Sequence, residues 1–475
     1  MATFLAGLIP QDLRSSIPDS LPKGLLFGVI ALQVGLAVTG LIFRFELILL
    51  AAVVALGGLA IMVRFPIVWL SVFALALIPL YMLQGPKVEA GEVVLVLALL
   101  LMVGVWLLWQ TLVVRKRIVQ HWGDVLLLLF LGLSALNLPI ALLNEVALEE
   151  WLRRWLPMWL IVYYIPLRHT VRSPRQALLI LGLLLFAGMV VAGLTLERYR
   201  SGVAIAEYAY QLRSSLGRTQ GEHFLAFAVL SCLISAAFLR SLLWRFFLLG
   251  CAVVMGGAVV VSFSRTAWVS LLLGLGIITV LLSWWQRLRL ALTGGVLLIA
   301  SVVALNAVFP RVSAVLFRLV EQRFLSIGQG SRDLALRGRL FQLEGAFQRV
   351  WQYPLGGHGL GKAFPYFEVG VYRHIRYSYI HNAYLATAYR YGLPMALLLV
   401  IALGAHGVYA FRRMQRAAPG SLQRMITAIG VAGIAGAMLS LMMTENPLDM
   451  RLTTAVLTWA LGMANIQLDP HDGAG

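Results

Sequence analysis

Long apolar runs separated by short polar segments fill most of the chain. A hydrocarbon layer about 30 Å thick takes roughly 20 apolar residues of helix to cross. Runs of that kind lie at 25–43, 47–63, 66–83, 93–114, 125–143, 156–167, 177–194, 224–239, 246–263, 267–284, 290–309, 394–411, 426–443 and 453–466. The sixth is short, and the second and third are closely coupled. The pattern predicts an all-α polytopic membrane protein of about 12 to 14 transmembrane helices. One long polar interruption divides the chain into transmembrane helices over 1–309, a loop subdomain over 310–380 and C-terminal transmembrane helices over 381–475. No internal repeat of fixed period is visible.

Within the long loop, Leu340, Leu343, Phe347, Val350 and Trp351 recur at helical spacing, which predicts a helix over Arg337–Gln352. Pro354 and the run Gly356-Gly357-His358-Gly359-Leu360-Gly361 end it. No strand precedes these glycines and no Gly-Lys-Ser/Thr follows, so they read as a flexible turn, not a phosphate loop.

Arginine and lysine in short loops set the orientation. With the N-terminus in the cytoplasm, the basic stretches at 115–117, 168–175, 240–245, 287–289 and 412–424 all fall on that side. An even number of spans returns the C-terminus to the cytoplasm. It also puts 310–380 outside, together with 84–92, 144–154, 197–223 and 444–451. Residues 1–24 mix polar and apolar positions with Asp12, Arg14, Asp19 and Lys23, unlike a cleavable signal peptide, so the first span is expected to direct insertion.

Composition agrees: 60% of residues are hydrophobic, 12% are charged and mean hydropathy is +0.87, far from a soluble globular domain. The net charge of +18 is spread over short loops instead of one soluble face, which argues against nucleic acid as a partner. Only Lys23, Lys87, Lys116 and Lys362 among the 38 basic residues are lysines. That bias fits a GC-rich genome, and it is also compatible with the bidentate grip of guanidinium on phosphate. Residues 310–380 hold ten basic side chains (Arg311, Arg318, Arg323, Arg332, Arg337, Arg339, Arg349, Lys362, Arg373, Arg376) against four acidic ones (Glu321, Asp333, Glu344, Glu368), a surplus that suggests an anionic ligand. Cys232 and Cys251 lie in apolar spans, where a thiol behaves as a small hydrophobe.

Four positions could carry chemistry. His381, in Tyr379-Ile380-His381-Asn382-Ala383-Tyr384-Leu385, stands where polar sequence turns back into apolar sequence at an outer boundary. A neutral imidazole there can accept a proton. If helix begins at His381, then His381, Tyr384 and Leu385 share one face, and Gly392-Leu393-Pro394 interrupts the helix. The other reading is a histidine hydrogen-bonded for packing. Arg265, in Ser262-Phe263-Ser264-Arg265-Thr266-Ala267-Trp268, joins two apolar spans with almost no loop and is pinned near the outer surface. Such a cation has a partner or a ligand, or it snorkels to headgroups. Arg339 precedes Leu340, the first apolar position of the loop helix, and could reach over the same surface. Arg218, in Leu216-Gly217-Arg218-Thr219-Gln220-Gly221, ends another outer loop beside glycines that let backbone approach a ligand. No Asp-x-Asp pair occurs in the outer loops and no His-Glu-x-x-His or Cys-x-x-Cys occurs anywhere, so neither a divalent metal nor another cofactor is expected. Without a metal, a leaving diphosphate would be neutralised by arginines.

The segment 262–268, Arg339 followed by Trp351, Pro354, Gly357, Gly359 and Gly361, then His381-Asn382-Ala383-Tyr384-Leu385 and Gly392-Leu393, resemble in this order the signature of the O-antigen ligase family. The family shares its C-terminal half with O-antigen and capsule polymerases. The likeness covers roughly 218–392. It implies an all-helical, GT-C-like glycosyltransferase in the bacterial inner membrane, with its active site outside. Such an enzyme moves a glycan from undecaprenyl diphosphate to an acceptor hydroxyl, on lipid A-core for a ligase or on a second lipid-linked repeat for a polymerase. His381 would take the catalytic histidine's place, with Asn382 and Tyr384 in support, and Arg265, Arg339 and Arg218 would hold the diphosphate. Two departures stand out: more spans than the usual dozen or so, and no Pro-Asn near Arg218, where His223 lies instead. A lipid-linked oligosaccharide flippase is the competing reading, but transporters carry midplane acids or matched broken helices, and the spans here hold essentially no central Asp or Glu.

Overall fold

The structure, a computed structural model, describes residues 65–82, 90–205, 221–308, 334–368 and 373–469, with a few more between 310 and 321. The expected spans at 25–43 and 47–63, and Arg218, lie outside the described residues. Contacts divide the chain after Val68, and the residues from Trp69 onward form one compact unit, which contains the long loop and the C-terminal helices.

Each apolar run among the described residues folds as helix, because a chain in lipid can satisfy its backbone only within the segment. In chain order the helices are α1 (Pro66–Leu75), α2 (Leu77–Met82), α3 (Ala90–Leu108), α4 (Trp122–Ala135), α5 (Leu138–Leu143), the amphipathic α6 (Leu148–Trp155), α7 (Tyr164–Thr170), α8 (Pro174–Ile205), α9 (Glu222–Phe238), α10 (Leu242–Val261), α11 (Arg265–Leu281) and α12 (Trp284–Val308). The loop subdomain holds α13 (Leu334–Val350), β1 (Phe364–Glu368) and β2 (Arg373–Tyr377). Then come α14 (Ala383–Tyr391), α15 (Leu393–Arg416), α16 (Leu422–Gly436) and α17 (Arg451–Asn465).

Seven helical stretches among the described residues are long and apolar enough to cross a membrane, and three apolar helices are shorter. The protein is thus an all-α polytopic membrane protein. The run at 156–167 is a 3-10 stretch, Leu156–Tyr163, leading into α7; it packs with the fifteen-residue α17 in the interior.

Packing is tightest where side chains are smallest. Lipid tails are as apolar as leucine, so helices associate through close van der Waals contact. Gly430 and Gly433 of α16 let α17 approach until an added Cβ would run into Ala464 and Ala460. Central α9 is buried on nearly every face, whereas the apolar window of α12 buries none of its residues, as a lipid-facing helix does.

The loop subdomain has its own small core. Phe364 and Tyr366 of β1 turn inward with Ala346 and Val350 of α13 and Ala386 and Tyr389 of α14. The hairpin is antiparallel, with Phe364 opposite Tyr377 and Glu368 opposite Arg373. Nothing in the hydrophobic pattern announces these strands.

The glycine run is not a flexible turn. It is a buried strap across the junction of α14 and α15, where Gly392 (φ +93°) breaks the helix. His358 N–H donates to the Tyr389 carbonyl (2.8 Å), Gly359 N–H to the Arg390 carbonyl (3.0 Å) and Leu393 N–H to the Pro354 carbonyl (2.7 Å). Gly357 (φ +69°) has no room for a Cβ beside the Arg390 backbone, nor has Gly359 (φ +92°) beside Ala141. Asn137, beyond the end of α4, ties the strap to the bundle: its amide donates to the Arg390 carbonyl (2.9 Å) and its oxygen accepts from Leu360 N–H (2.6 Å).

Candidate active site

The strap and hairpin deliver the chain to His381 in extended form, and Asn382 then starts a helix. Asn382 (φ −161°, ψ 115°) caps α14 by accepting from Leu385 N–H at 2.8 Å, so His381 precedes the helix and does not share its face with Tyr384 and Leu385. An N-cap of this kind is worth about 1 kcal/mol. The Asn382 amide also donates to the Met443 carbonyl (3.1 Å). Tyr384 donates to the Met438 carbonyl (2.8 Å) in the π-helical turn Ala437–Leu441, so both supporting residues fasten His381 to the end of α16.

Around the imidazole lie residues that sequence reasoning missed. Gln342 is buried and its side-chain oxygen stands 2.7 Å from His381 Nδ1. Tyr379 sets its ring edge-on to His381, 4.9 Å between centroids. The Tyr379 hydroxyl donates to Glu445 Oε2 at 2.8 Å and accepts from Asn446 N–H at 3.1 Å. Burial, followed by the Glu445 carboxylate, raises the Tyr379 phenol well above its ordinary range, so it stays protonated at any working pH.

Arg339 reaches this group. It lies inside α13, not ahead of it, one turn before Gln342, and residues three apart on a helix are neighbours. Its guanidinium pairs with Glu445 Oε1 at 3.4 Å while remaining partly exposed. A chain of contacts therefore runs from Arg339 through Glu445 and Tyr379 to His381.

Arg265 opens α11, capped by Ser264, whose hydroxyl accepts from Ala267 N–H. Ser270 and Ser440 are hydrogen-bonded at 2.7 Å, and α11 packs on both α16 and the π-helical turn. Arg265 is five residues, about 7.5 Å of helical rise, from that contact. The segment Ser440–Met443 thus adjoins both α11 and the His381 loop.

A second network locks the site from beneath. Arg390, fully interior, donates to Asp449 Oδ1 at 2.6 Å and Oδ2 at 2.7 Å, and to the Ser378 carbonyl at 2.9 Å. Arg154 of α6 donates to Asp449 Oδ2 (3.3 Å), the Ser378 hydroxyl (2.7 Å) and Glu150 (2.6 Å). The signal in the sequence is slight: two carboxylates in the short segment 444–451.

Among the described residues, His121, Asp124 and His406 form the one group close enough to hold a metal ion. It sits at the far end of α4 from Asn137, and its hydrogen bonding suits a carboxylate better than a cation. Asn465 uses its amide hydrogens on the Leu461 carbonyl (2.7 Å) and His406 Nδ1 (3.2 Å), which leaves the proton of neutral His406 on Nε2. Arg168 and Tyr164 already donate to Asp124 at 2.8 Å. His121 Nε2 is hydrogen-bonded to Asn465 Oδ1 at 3.0 Å, and His406 Nε2 stays 3.9 Å from Asp124 Oδ1.

Residues 250–401 match the family described as O-antigen ligase, and this segment holds Arg265, Arg339, Gln342, His381, Asn382, Tyr384 and Arg390. No curated protein is a match for the chain.

Proposed function

We propose, from the O-antigen ligase domain at 250–401, that the protein is an inverting membrane glycosyltransferase. It takes a glycan from undecaprenyl diphosphate at the outer face of the inner membrane and passes it to an acceptor hydroxyl, lipid A-core for a ligase. The observation that carries the reading is the convergence on one end of the bundle of His381, held at 2.7 Å by Gln342, and Arg339, one turn away on the same helix as that glutamine.

In the proposed reaction, His381 Nε2 takes the proton of the acceptor hydroxyl as its oxygen attacks the anomeric carbon. The bond from that carbon to the diphosphate oxygen breaks with inversion, and undecaprenyl diphosphate leaves with the electron pair. Arg339, Arg265 and Arg218 stabilise the charge growing on the leaving group. Removing one such donor costs about 3 to 4 kcal/mol of barrier, and general-base help is worth about 10² to 10⁴ in rate. The reaction is read as metal-independent because the nearby carboxylates are engaged: Glu445 by Arg339 and Tyr379, Asp449 by Arg390 and Arg154.

The test is transfer by purified protein in proteoliposomes with lipid-linked glycan and lipid A-core. His381→Ala is expected to lose at least about a hundredfold in rate while inserting normally. Wild-type transfer by that variant rules out the base. With lipid-linked repeats alone, no ladder forms for a ligase; a ladder identifies a polymerase.

A further inference from the structure

The Gln342 amide can be oriented without ambiguity. One end stands 2.9 Å from the Tyr379 carbonyl, which only accepts, so that end is the NH₂ group. The other end, the oxygen, faces His381 N–H at 3.3 Å and His381 Nδ1 at 2.7 Å. Flipping the amide would set donor against donor and acceptor against acceptor. An oxygen 2.7 Å from Nδ1 requires a proton on Nδ1.

We infer that Gln342 is a positioning residue that holds His381 in the Nδ1–H tautomer and leaves Nε2 as the proton acceptor of the transfer reaction. The inference rests on His381 being the base proposed above. Three features support it. Gln342 is 1% exposed, so water does not substitute readily for its oxygen. The Tyr379 ring, itself fixed by Glu445 and Asn446, closes one side of the imidazole and limits its rotation. The partner is also a neutral amide where a carboxylate would have the same reach. It directs the proton without adding a charge that would favour imidazolium, so Nε2 stays able to receive a proton. One helix, α13, then sets both the cation and the orientation of the base, through Arg339 and Gln342.

The experiment uses the full-length protein in proteoliposomes, with kcat and KM for the lipid-linked donor measured across pH. Gln342→Leu keeps the volume and removes the acceptor. It is expected to lower kcat about 10- to 100-fold with donor KM within about twofold of wild type. Gln342→Glu restores an acceptor oxygen and adds a charge, so it recovers part of kcat and moves the acidic limb of the kcat/KM profile to higher pH. Wild-type kcat in Gln342→Leu overturns the inference, as does an unmoved acidic limb in Gln342→Glu. The glutamate variant decides alone if the leucine variant does not insert. His381→Ala is run beside them. Its activity sinks the base itself, whereas inactive His381→Ala with fully active Gln342→Leu sinks only the positioning role.

Discussion

Asp449→Ala isolates the clamp beneath the site. The substitution removes the acceptor of two short bonds from Arg390 and one longer bond from Arg154. Arg154 keeps Glu150 at 2.6 Å, but Arg390, 2% exposed, retains only the Ser378 carbonyl for a full positive charge. Removing one partner of a buried ion pair costs about 3 to 5 kcal/mol, chiefly through the charge left behind. Replacing both, as Asp449→Leu with Arg390→Met, leaves no orphan and recovers most of that stability. The double variant still lacks the guanidinium that fixes Ser378, three residues before His381. The expected pattern is therefore a drop of several degrees in apparent melting temperature for Asp449→Ala in detergent, a near-normal value for the double variant, and impaired transfer in both. A melting temperature for Asp449→Ala equal to wild type would refute the reasoning.

Other perturbations read different links. Glu445→Gln removes the carboxylate that shares Arg339 while keeping an acceptor for Tyr379; donor KM is expected to fall by up to about fivefold, as for loss of one partly exposed competing ion pair, and an unchanged or higher KM counts against Arg339 as a diphosphate ligand. Gly357→Ala, at φ +69° against the Arg390 backbone, is expected to destabilise by more than about 1 to 2 kcal/mol, whereas Gly356→Ala, meeting only Ile140 at ordinary contact distance, stays close to wild type; parallel melting curves check the contrast. His358 is held below its ordinary 6.5 by burial, and stacks on Tyr389. A depressed folded pKa means stability is complete above the unfolded value and is lost as pH falls below it, so the decline in melting temperature from about pH 7 to 5 is expected to be shallower in His358→Gln.

The helices are legible in the sequence because bilayer thickness writes itself into run length: the described runs from 66 to 466 fold as helix, most of them close to their expected bounds, whereas α8 continues to Ile205, eleven residues past the apolar run at 177–194 and into the segment expected as an outer loop. The interruption of α14 at Gly392 is also near at hand, whereas a helix beginning at His381 gives way to one capped by Asn382, whose side chain accepts from Leu385 N–H. The hairpin is not, because β1 carries Pro365 and only two inward residues, Phe364 and Tyr366, too few for a period to declare itself. Tertiary pairs are hidden for another reason. Gln342 and His381 are 39 positions apart, and Arg390 and Asp449 are 59 apart. Nothing local distinguishes Gln342 from any other glutamine on an amphipathic helix. Arg339 stands out by its charge and place, with no sign of Glu445 beside it. The glycines at 357–361 look loose in sequence because composition does not show the helix junction that they cross.

Asn137 and Arg154 on one side of the 250–401 segment, and Glu445 and Asp449 on the other, hold what that segment presents. Transplanting the segment into a foreign scaffold would therefore carry over the histidine and its glutamine but abandon four of their anchors. A working chimera has to import those anchors from both flanks, and natural variation at the four sites should travel in company with the strap, not independently.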